Sequence, residues 1–174
     1  MLESLITSKT RIKMLLKFFT NSTAKAYLRE LAEEFDESTN SIRHELNNLS
    51  GAGYLTFKEE GRTIVYQANP NHPLYQEVKS LVHKYLGIDK IVINIIHKLG
   101  DLKAAYIIGD YAKGKDSGTI ELLLVGKLDE AYLHQLVEKA KALLHRNLSV
   151  EVIAGDVFES RKAEFERALL IWGV

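Results

Sequence analysis

The residues best suited to chemistry in the first third of the sequence lie on one face of a predicted helix over about 38–50. Ile42, Leu46 and Leu49 recur at helical spacing and are expected to face a core. The opposite face then carries six polar side chains: Ser38, Thr39, Asn40, Arg43, His44 and Asn47. Arginine can bond guanine O6 and N7 together, and asparagine can bond adenine in the same bidentate way. This face therefore suits base recognition in the major groove of DNA, although for His44 a plain surface role is an equal alternative.

Two further cations flank a predicted β-turn. The alternating segments 54–58 and 63–67 surround a short polar stretch that contains a glycine, a pattern typical of a β-hairpin. Lys58 and Arg62 are then expected near the tip, where DNA phosphates or a minor groove could receive them. The two glutamates between these cations oppose that assignment.

Three helices are expected before this hairpin. Apolar residues at spacings of three and four predict them over about 9–19, 24–35 and 38–50. Ser8 is the expected cap of the first, and Gly51 ends the third. The sequence thus predicts three helices in succession followed by a hairpin.

These segments resemble winged-helix (helix-turn-helix) transcriptional regulators of the broad ArsR-like class, over about residues 1–70. The resemblance rests on Ser8-Lys9-Thr10-Arg11-Ile12-Lys13, Tyr27-Leu28-Arg29-Glu30-Leu31-Ala32, Ser41-Ile42-Arg43-His44-Glu45-Leu46-Asn47-Asn48-Leu49 and Gly53-Tyr54-Leu55. It implies binding of double-stranded DNA and regulation of transcription by a homodimer on paired half-sites. Use of the domain for protein contacts is the alternative. Metal sensing of the kind that needs cysteine is not expected, because the chain has no cysteine.

A second resemblance covers about residues 88–174. The segments Gly109-Asp110-Tyr111-Ala112-Lys113-Gly114 and Ser117-Gly118-Thr119-Ile120-Glu121-Leu122-Leu123-Leu124-Val125-Gly126 resemble the signature of small nucleotidyltransferase domains, G-S-x-A-R/K-G, a short loop, then S-D-I-D-L-L-V. In active members the glycine loop admits a triphosphate, and two carboxylates on one strand hold Mg²⁺ against it with a third acid on a neighbouring strand. The resemblance assigns a nucleotide-like cleft to Gly109, Asp110, Lys113, Gly114, Thr119, Glu121 and Glu151.

Three positions depart from that signature. Asp110 replaces the serine, Thr119 replaces the first metal carboxylate, and Glu121 lengthens the second by one methylene. Mg²⁺ demands near-octahedral geometry, which these changes would disturb. We therefore expect no enzymatic activity, no bound metal and no cofactor, with the domain kept for dimerisation or for sensing a nucleotide or other small-molecule effector. The alternative is an active nucleotidyltransferase that modifies a protein or small-molecule acceptor.

Composition limits the other classes. Of the 174 residues, 46% are hydrophobic and 26% charged, which is typical of a folded globular chain. No apolar run is long enough to cross a membrane, and the first residues lack a signal-peptide pattern, so a cytoplasmic protein without a membrane partner is expected. The six histidines are too dispersed to suggest a metal or catalytic cluster.

Charge is unevenly distributed although the net charge is zero. Six cations and no acidic residue lie between Ser4 and Arg29, which would allow a local basic surface. They are Lys9, Arg11, Lys13, Lys17, Lys25 and Arg29. Solvated lysines on ordinary helix faces are the alternative explanation.

The fold class expected is α+β, with a winged-helix domain followed by a small α/β domain with a mixed sheet. Both prolines lie between Asn69 and Pro73, the best domain boundary. We therefore predict a winged helix over 1–70, a linker helix over 71–87 and a nucleotidyltransferase-like domain over 88–174. Strands are predicted within this last domain over 104–108, 120–125 and 148–153, and a helix over about 133–144.

A strongly apolar helix is predicted from Ile88 to Leu99. Five aliphatic residues on it exceed what one short helix needs against a small domain: Ile88, Ile91, Val92, Ile95 and Ile96. This surplus predicts self-association of two chains through the middle helices.

Overall fold

The computed structural model of the chain describes residues 2–144, 146–165 and 168–173. Two compact units are present, Met1–Val82 and His83–Val174. The domain bounds expected from the sequence, 1–70, 71–87 and 88–174, stay a prediction.

The first unit combines helices with a small antiparallel sheet. Its elements are α1 (Leu2–Leu5), α2 (Lys9–Thr20), β1 (Lys25–Tyr27), α3 (Leu28–Phe35), α4 (Thr39–Gly51), β2 (Leu55–Glu60), β3 (Thr63–Ala68) and the larger part of α5 (Tyr75–Leu86). The sheet has the order β1-β3-β2. Serine side chains cap the N-termini of α2 and α4. Ser8 accepts a hydrogen bond from the Arg11 amide, and Ser38 accepts one from the Ser41 amide.

The core of the first unit lies between its helices. Phe18 and Phe19 on α2, Leu31 on α3, and Ile42 and Leu46 on α4 are all buried. Complete burial of side chains of this size contributes about 1.5–3 kcal/mol each. The polar face of α4 is thereby turned outward.

The helix predicted over 24–35 is wrong at its start. Residues Lys25–Tyr27 form β1, in which Ala26 pairs with Tyr66 of β3. A local helical pattern could not reveal this strand, because its partner lies far along the chain. The predicted hairpin is confirmed: β2 and β3 pair from Leu55–Ala68 to Glu60–Thr63, and Gly61 adopts φ +65° in the turn.

The second unit is built on a mixed sheet, as the sequence predicted, and the sheet has four strands in the order β6-β5-β4-β7. Beyond the end of α5, its elements are α6 (Ile88–Asn94), a 3-10 turn (Ile96–Lys98), β4 (Leu102–Ile108), α7 (Gly109–Ala112), β5 (Thr119–Gly126), α8 (Glu130–Lys141), β6 (Asn147–Ile153), α9 (Gly155–Ser160), a second 3-10 turn (Lys162–Phe165) and β7 (Leu169–Gly173). Strands β5 and β6 are parallel, and the other pairs are antiparallel.

Alternation along β5 decides which residues share a face. Leu123 and Val125 pack with Ile153 and Phe158 in one apolar cluster. Because successive side chains of a strand point to opposite faces, Thr119 and Glu121 belong to the same face as Leu123. This face, beyond the apolar cluster, is where the predicted acidic residues lie.

The expected apolar surplus for self-association is absent. The helix predicted to Leu99 ends at Asn94, and four of the five aliphatic residues in question are buried within the single chain: Ile88, Ile91, Ile95 and Ile96. Side chains already packed inside the unit cannot also form an intermolecular surface, so this argument for a homodimer is wrong. Within the described residues, no helix is long and apolar enough to span a membrane.

Candidate functional site

The outer face of α4 carries the residues expected to contact bases. The six predicted side chains are exposed: Ser38, Thr39, Asn40, Arg43, His44 and Asn47. A shallow depression on this face is lined by Asn40, Ser41, Arg43, His44 and Asn47. Arginine, histidine and amide groups therefore converge on one surface that a helix can present to a groove.

The hairpin presents its two cations differently. Arg62 lies in the turn, whereas Lys58 lies within β2, paired with Val65. Both side chains are exposed. Between them, Glu60 accepts a hydrogen bond of 2.9 Å from the Tyr27 hydroxyl, and this bond together with the charge of Glu60 raises the pKa of Tyr27. One of the two glutamates that oppose phosphate binding is thus engaged within the unit.

Half of the expected basic surface is neutralised within the first unit. Arg11 Nε lies 2.9 Å from Glu45 Oε2, and Lys13 Nζ lies 2.9 Å from Glu37 Oε1. Lys17 Nζ lies 2.6 Å from Glu34 Oε2. Three of the six cations therefore have carboxylate partners in the same unit, which charges counted along the chain do not show.

Glu45 is an acidic residue in the buried stripe of α4. Only 6% of it is exposed. Its carboxylate accepts hydrogen bonds from Ser8 Oγ at 2.7 Å and from Arg11 Nε at 2.9 Å. Burial raises the pKa of Glu45, but these bonds and the arginine charge outweigh it and hold the pKa below its ordinary value. Glu45 has no role among the sequence-based predictions. Its position in the stripe of Ile42, Leu46 and Leu49 was a usable signal that this glutamate is buried.

In the second unit, the first cleft residues meet where β4 ends. Gly109 follows Ile108 directly, and Ile108 pairs with Glu121 of β5. The Glu121 carboxylate lies against the Gly109 backbone, in space that a Cβ at position 109 would occupy. Within the described part of the chain, this carboxylate has no hydrogen-bonding partner. A glycine backbone and an unpaired carboxylate therefore lie together at the end of β4.

The third acid is placed farther along the same sheet face. Glu151 of β6 pairs with Leu123, one step of alternation beyond Glu121. It is about half exposed and lies 3.7 Å from Arg161, which also bonds Glu164 at 2.8 Å. An arginine thus balances the charge of Glu151. The described residues contain no group of three or more acidic or histidine side chains arranged to hold a metal ion.

A cavity of about 380 Å³ opens beside the glycine loop. Two of the predicted cleft residues, Gly109 and Lys113, are among its lining residues, with Phe165 and Glu164 from the second 3-10 turn. Lys113 is exposed, Asp110 is half-buried in the first turn of α7, and Gly114 adopts φ +80°. The lining therefore combines a cation, a carboxylate and an aromatic ring.

A buried clamp that the sequence did not reveal holds the glycine loop. Tyr111, in the middle of that loop, donates a hydrogen bond to Asp116 and accepts one of 2.8 Å from Arg146 Nε. Arg146 Nη2 lies 2.6 Å from Asp116, and Nη1 donates to the Tyr85 carbonyl at 3.0 Å. Burial and the bond to Asp116 raise the pKa of Tyr111. Burial also raises the pKa of Asp116, but its hydrogen bonds with Arg146 and Tyr111 bring that pKa below its usual value.

Comparison with known proteins found similarity to solved structures only. No protein-family model matches the chain, and the search of curated proteins found no match. Among solved structures, the chain is similar to a mutant of the toxin–antitoxin pair MntA–HpeT, with 16% identity and a TM-score of 0.40, over 50% of this chain and 72% of that chain. MntA is a nucleotidyltransferase, so this finding points toward an enzyme, against the expectation that the chain has no enzymatic activity.

Proposed function

We propose that the first unit binds double-stranded DNA through α4 and that the chain regulates transcription. The observation that carries this proposal is the exposure of the whole polar face of α4, opposite Ile42, Leu46 and Leu49. The order of α2, α3, α4 and the β2–β3 hairpin further supports a winged helix, in which the third helix enters the major groove.

The proposed DNA contacts are of two kinds: base contacts from α4 and phosphate contacts from the β2–β3 hairpin. Arg43 and Asn47 are the base-recognition residues, because their forked groups can form bidentate contacts with guanine and adenine. Ser38 is already engaged as the cap of α4. Arg62 in the turn and Lys58 on β2 contact phosphates, which adds affinity without sequence information.

Selection of bound duplexes from a random library, followed by fluorescence anisotropy on the selected sequence and a scrambled one, tests this function. We expect the selected duplex to bind more tightly at every salt concentration. Equal affinity for the two duplexes across the salt series would refute it. Light scattering of the complex shows whether two chains occupy paired half-sites, which lie about 34–36 Å apart or at a multiple of that spacing.

A second candidate function, nucleotidyl transfer by the second unit, is favoured by the unpaired Glu121 carboxylate against the Gly109 backbone. In such a transfer, an acceptor oxygen bonds the α-phosphorus, the bond from that phosphorus to the bridging oxygen breaks, pyrophosphate leaves, and the acceptor proton passes to water. Mg²⁺ in proteins commonly rests on one or two carboxylates together with substrate phosphates. Glu121 fits that requirement, and Lys113 at the cavity is placed for a phosphate.

Calorimetry with Mn²⁺–ATP as the probe tests the second candidate. We expect saturable binding by the full chain that Glu121→Gln abolishes, with transfer of label from α-labelled ATP to an acceptor as the activity readout. Absence of binding by the unmodified chain would eliminate this candidate and leave the DNA-binding proposal untouched.

A further inference from the structure

Two carboxylates join α4 to α2 beside the polar face. Glu37 precedes the cap of α4 by one residue, and Glu45 lies within the helix, next to His44 and two residues before Asn47. Four residues of α4 are buried: Ile42, Glu45, Leu46 and Leu49. A charged side chain therefore occupies one core position of the helix that carries the proposed base contacts.

Each carboxylate is held by more than one group of α2 or its cap. Glu45 Oε1 accepts from Ser8 Oγ at 2.7 Å and from Arg11 Nη2 at 3.4 Å, while Oε2 accepts from Arg11 Nε at 2.9 Å. Glu37 accepts from Lys13 Nζ at 2.9 Å and also from Thr10 Oγ1. The first set is a forked arginine–carboxylate pair, which is directional as well as strong.

The directional bonds of Glu45 and Glu37 can fix the rotation of α4 about its axis. The contacts of Ile42, Leu46 and Leu49 hold α4 against the unit, but the hydrophobic effect is non-directional and does not by itself select one rotation of the helix about its axis. A helix surface lies about 5–6 Å from the axis, so a rotation of about 20° moves a side chain by about 2 Å. Hydrogen bonds to base edges tolerate only a few tenths of an ångström.

Stability is a poor explanation for a carboxylate at this position. Replacing a buried ion pair by apolar residues of similar volume is often neutral or stabilising, because desolvation offsets the attraction of the charges. A carboxylate at a core position, paired with a partly exposed arginine, therefore calls for a role other than adding stability.

We propose that Glu45, held by Ser8 and Arg11, and Glu37, held by Lys13, are positioning residues that fix the rotation of α4 for base recognition. This inference rests on the proposed DNA binding. Neither glutamate contacts DNA: each acts by placing Arg43 and Asn47 in register with the base edges.

The test replaces the ion pair by an apolar pair in the full chain. Arg11→Met/Glu45→Met should melt at the same or a higher temperature than the unmodified chain, yet its preference for the selected duplex over the scrambled one should fall about tenfold or more, the loss of one bidentate base contact. The dependence of affinity on salt should stay the same, because no phosphate contact is removed.

Lys17→Met/Glu34→Met is the matched control. In this pair both side chains are largely buried, whereas Arg11 keeps 40% of its side chain exposed. Its Nζ lies 2.6 Å from Oε2, and it joins α2 to α3 rather than to α4. It should keep the duplex preference. Glu45→Gln, which preserves shape and removes the charge, serves if the apolar pair does not fold, and it should lower the preference in the same direction.

The outcomes separate the two proposals. If the unmodified chain has no duplex preference, the DNA-binding proposal fails. If it has one and the folded Arg11→Met/Glu45→Met or Glu45→Gln variant keeps it in full, the positioning role is refuted. Equal loss of preference in the Lys17→Met/Glu34→Met control would also refute it, since the effect would then not be specific to α4.

Discussion

The carboxylate of Glu121 lies against the backbone of Gly109, so closely that a Cβ at position 109 would overlap its Oε1 and Cδ atoms. Gly109 also adopts φ +66°, in the left-handed region that L residues rarely occupy. Two independent causes thus exclude a side chain here: a strained backbone and the space taken by Glu121.

Gly109→Ala should destabilise the second unit more than Gly118→Ala. Gly118 has a similar φ of +82° but open space where its Cβ would stand, so its substitution introduces backbone strain alone, about 1–2 kcal/mol. Gly109→Ala adds the overlap, and Glu121→Ala in the same chain should recover part of the loss. Urea unfolding followed by the fluorescence of Trp172, the single tryptophan, measures this unit. Equal losses for the two alanine variants would show that Glu121 moves aside freely.

Arg43→Ala should lower the affinity for the selected duplex by about 1–3 kcal/mol and relax the preference at one base pair. Lys58→Ala should instead weaken all duplexes alike and reduce the slope of log affinity against log salt by about one. Anisotropy across a salt series separates the two patterns. Lys84→Ala, an exposed cation on α5, is the control and should leave both quantities unchanged. A selective loss with Lys58→Ala would assign base contact to the hairpin instead.

Local periodicity predicted most of these elements, because each apolar stripe or alternating run is written in adjacent residues. The hairpin around Gly61 and the strands at 104–108 and 120–125 were predicted in this way and are present. Strand β1 was merged into a helix, and β7 was missed. Each is a short strand, and each pairs with a strand about forty or more residues away. Such pairing depends on tertiary structure rather than on the local pattern.

The same contrast between local pattern and tertiary structure applies to the candidate sites. Exposure of Arg43 and Asn47 followed from the helical stripe alone. The clamp of Tyr111, Asp116 and Arg146 did not, because Arg146 comes thirty residues after Asp116. Such polar networks are assembled only by the packed fold.

Acid should destabilise the first unit through its engaged carboxylates. The hydrogen bonds of Glu37 and Glu45 hold each pKa below its ordinary value of 4.5, despite burial. Their contribution is therefore complete above pH 4.5 and is lost as pH falls through the lower, folded-state pKa. Between about pH 5 and about pH 3, Glu37→Gln/Glu45→Gln should lose less stability than the unmodified chain, by urea unfolding followed with circular dichroism. Identical losses would mean that neither carboxylate contributes to the acid response.

Thr119→Asp should strengthen Mn²⁺–ATP binding by the second unit. Thr119 and Glu121 share a sheet face, so the change places a second carboxylate two residues from the first. We expect a gain of at least about tenfold, since even groups outside the ligand shell change metal affinity by that factor. Thr119→Asn, neutral and of the same shape as aspartate, should give no such gain by calorimetry. A similar affinity in the two variants would indicate that no metal binds at Glu121.

Arg146→Met should destabilise the second unit by removing the clamp on the glycine loop. Breaking a fully buried ion pair costs about 3–5 kcal/mol, and because Asp116 keeps 27% of its side chain exposed we expect a smaller loss, about 2 kcal/mol. Arg161→Met is the control, since its ion pairs are exposed and screened by water and should contribute much less. Urea unfolding followed by Trp172 fluorescence compares the two.

The loss of stability caused by Arg146→Met should become smaller as pH falls. The pKa of Asp116 lies below its ordinary value of 3.8, because the bonds from Arg146 and Tyr111 outweigh the effect of burial. The pair therefore stabilises the unit above pH 3.8 and loses its contribution as pH falls through the folded-state pKa. The gap between the unmodified chain and Arg146→Met should narrow in that acidic range, because protonated Asp116 no longer needs a cation. A gap that stays constant down to about pH 2.5 would mean that Arg146 acts by packing on Tyr85 rather than through the charge of Asp116.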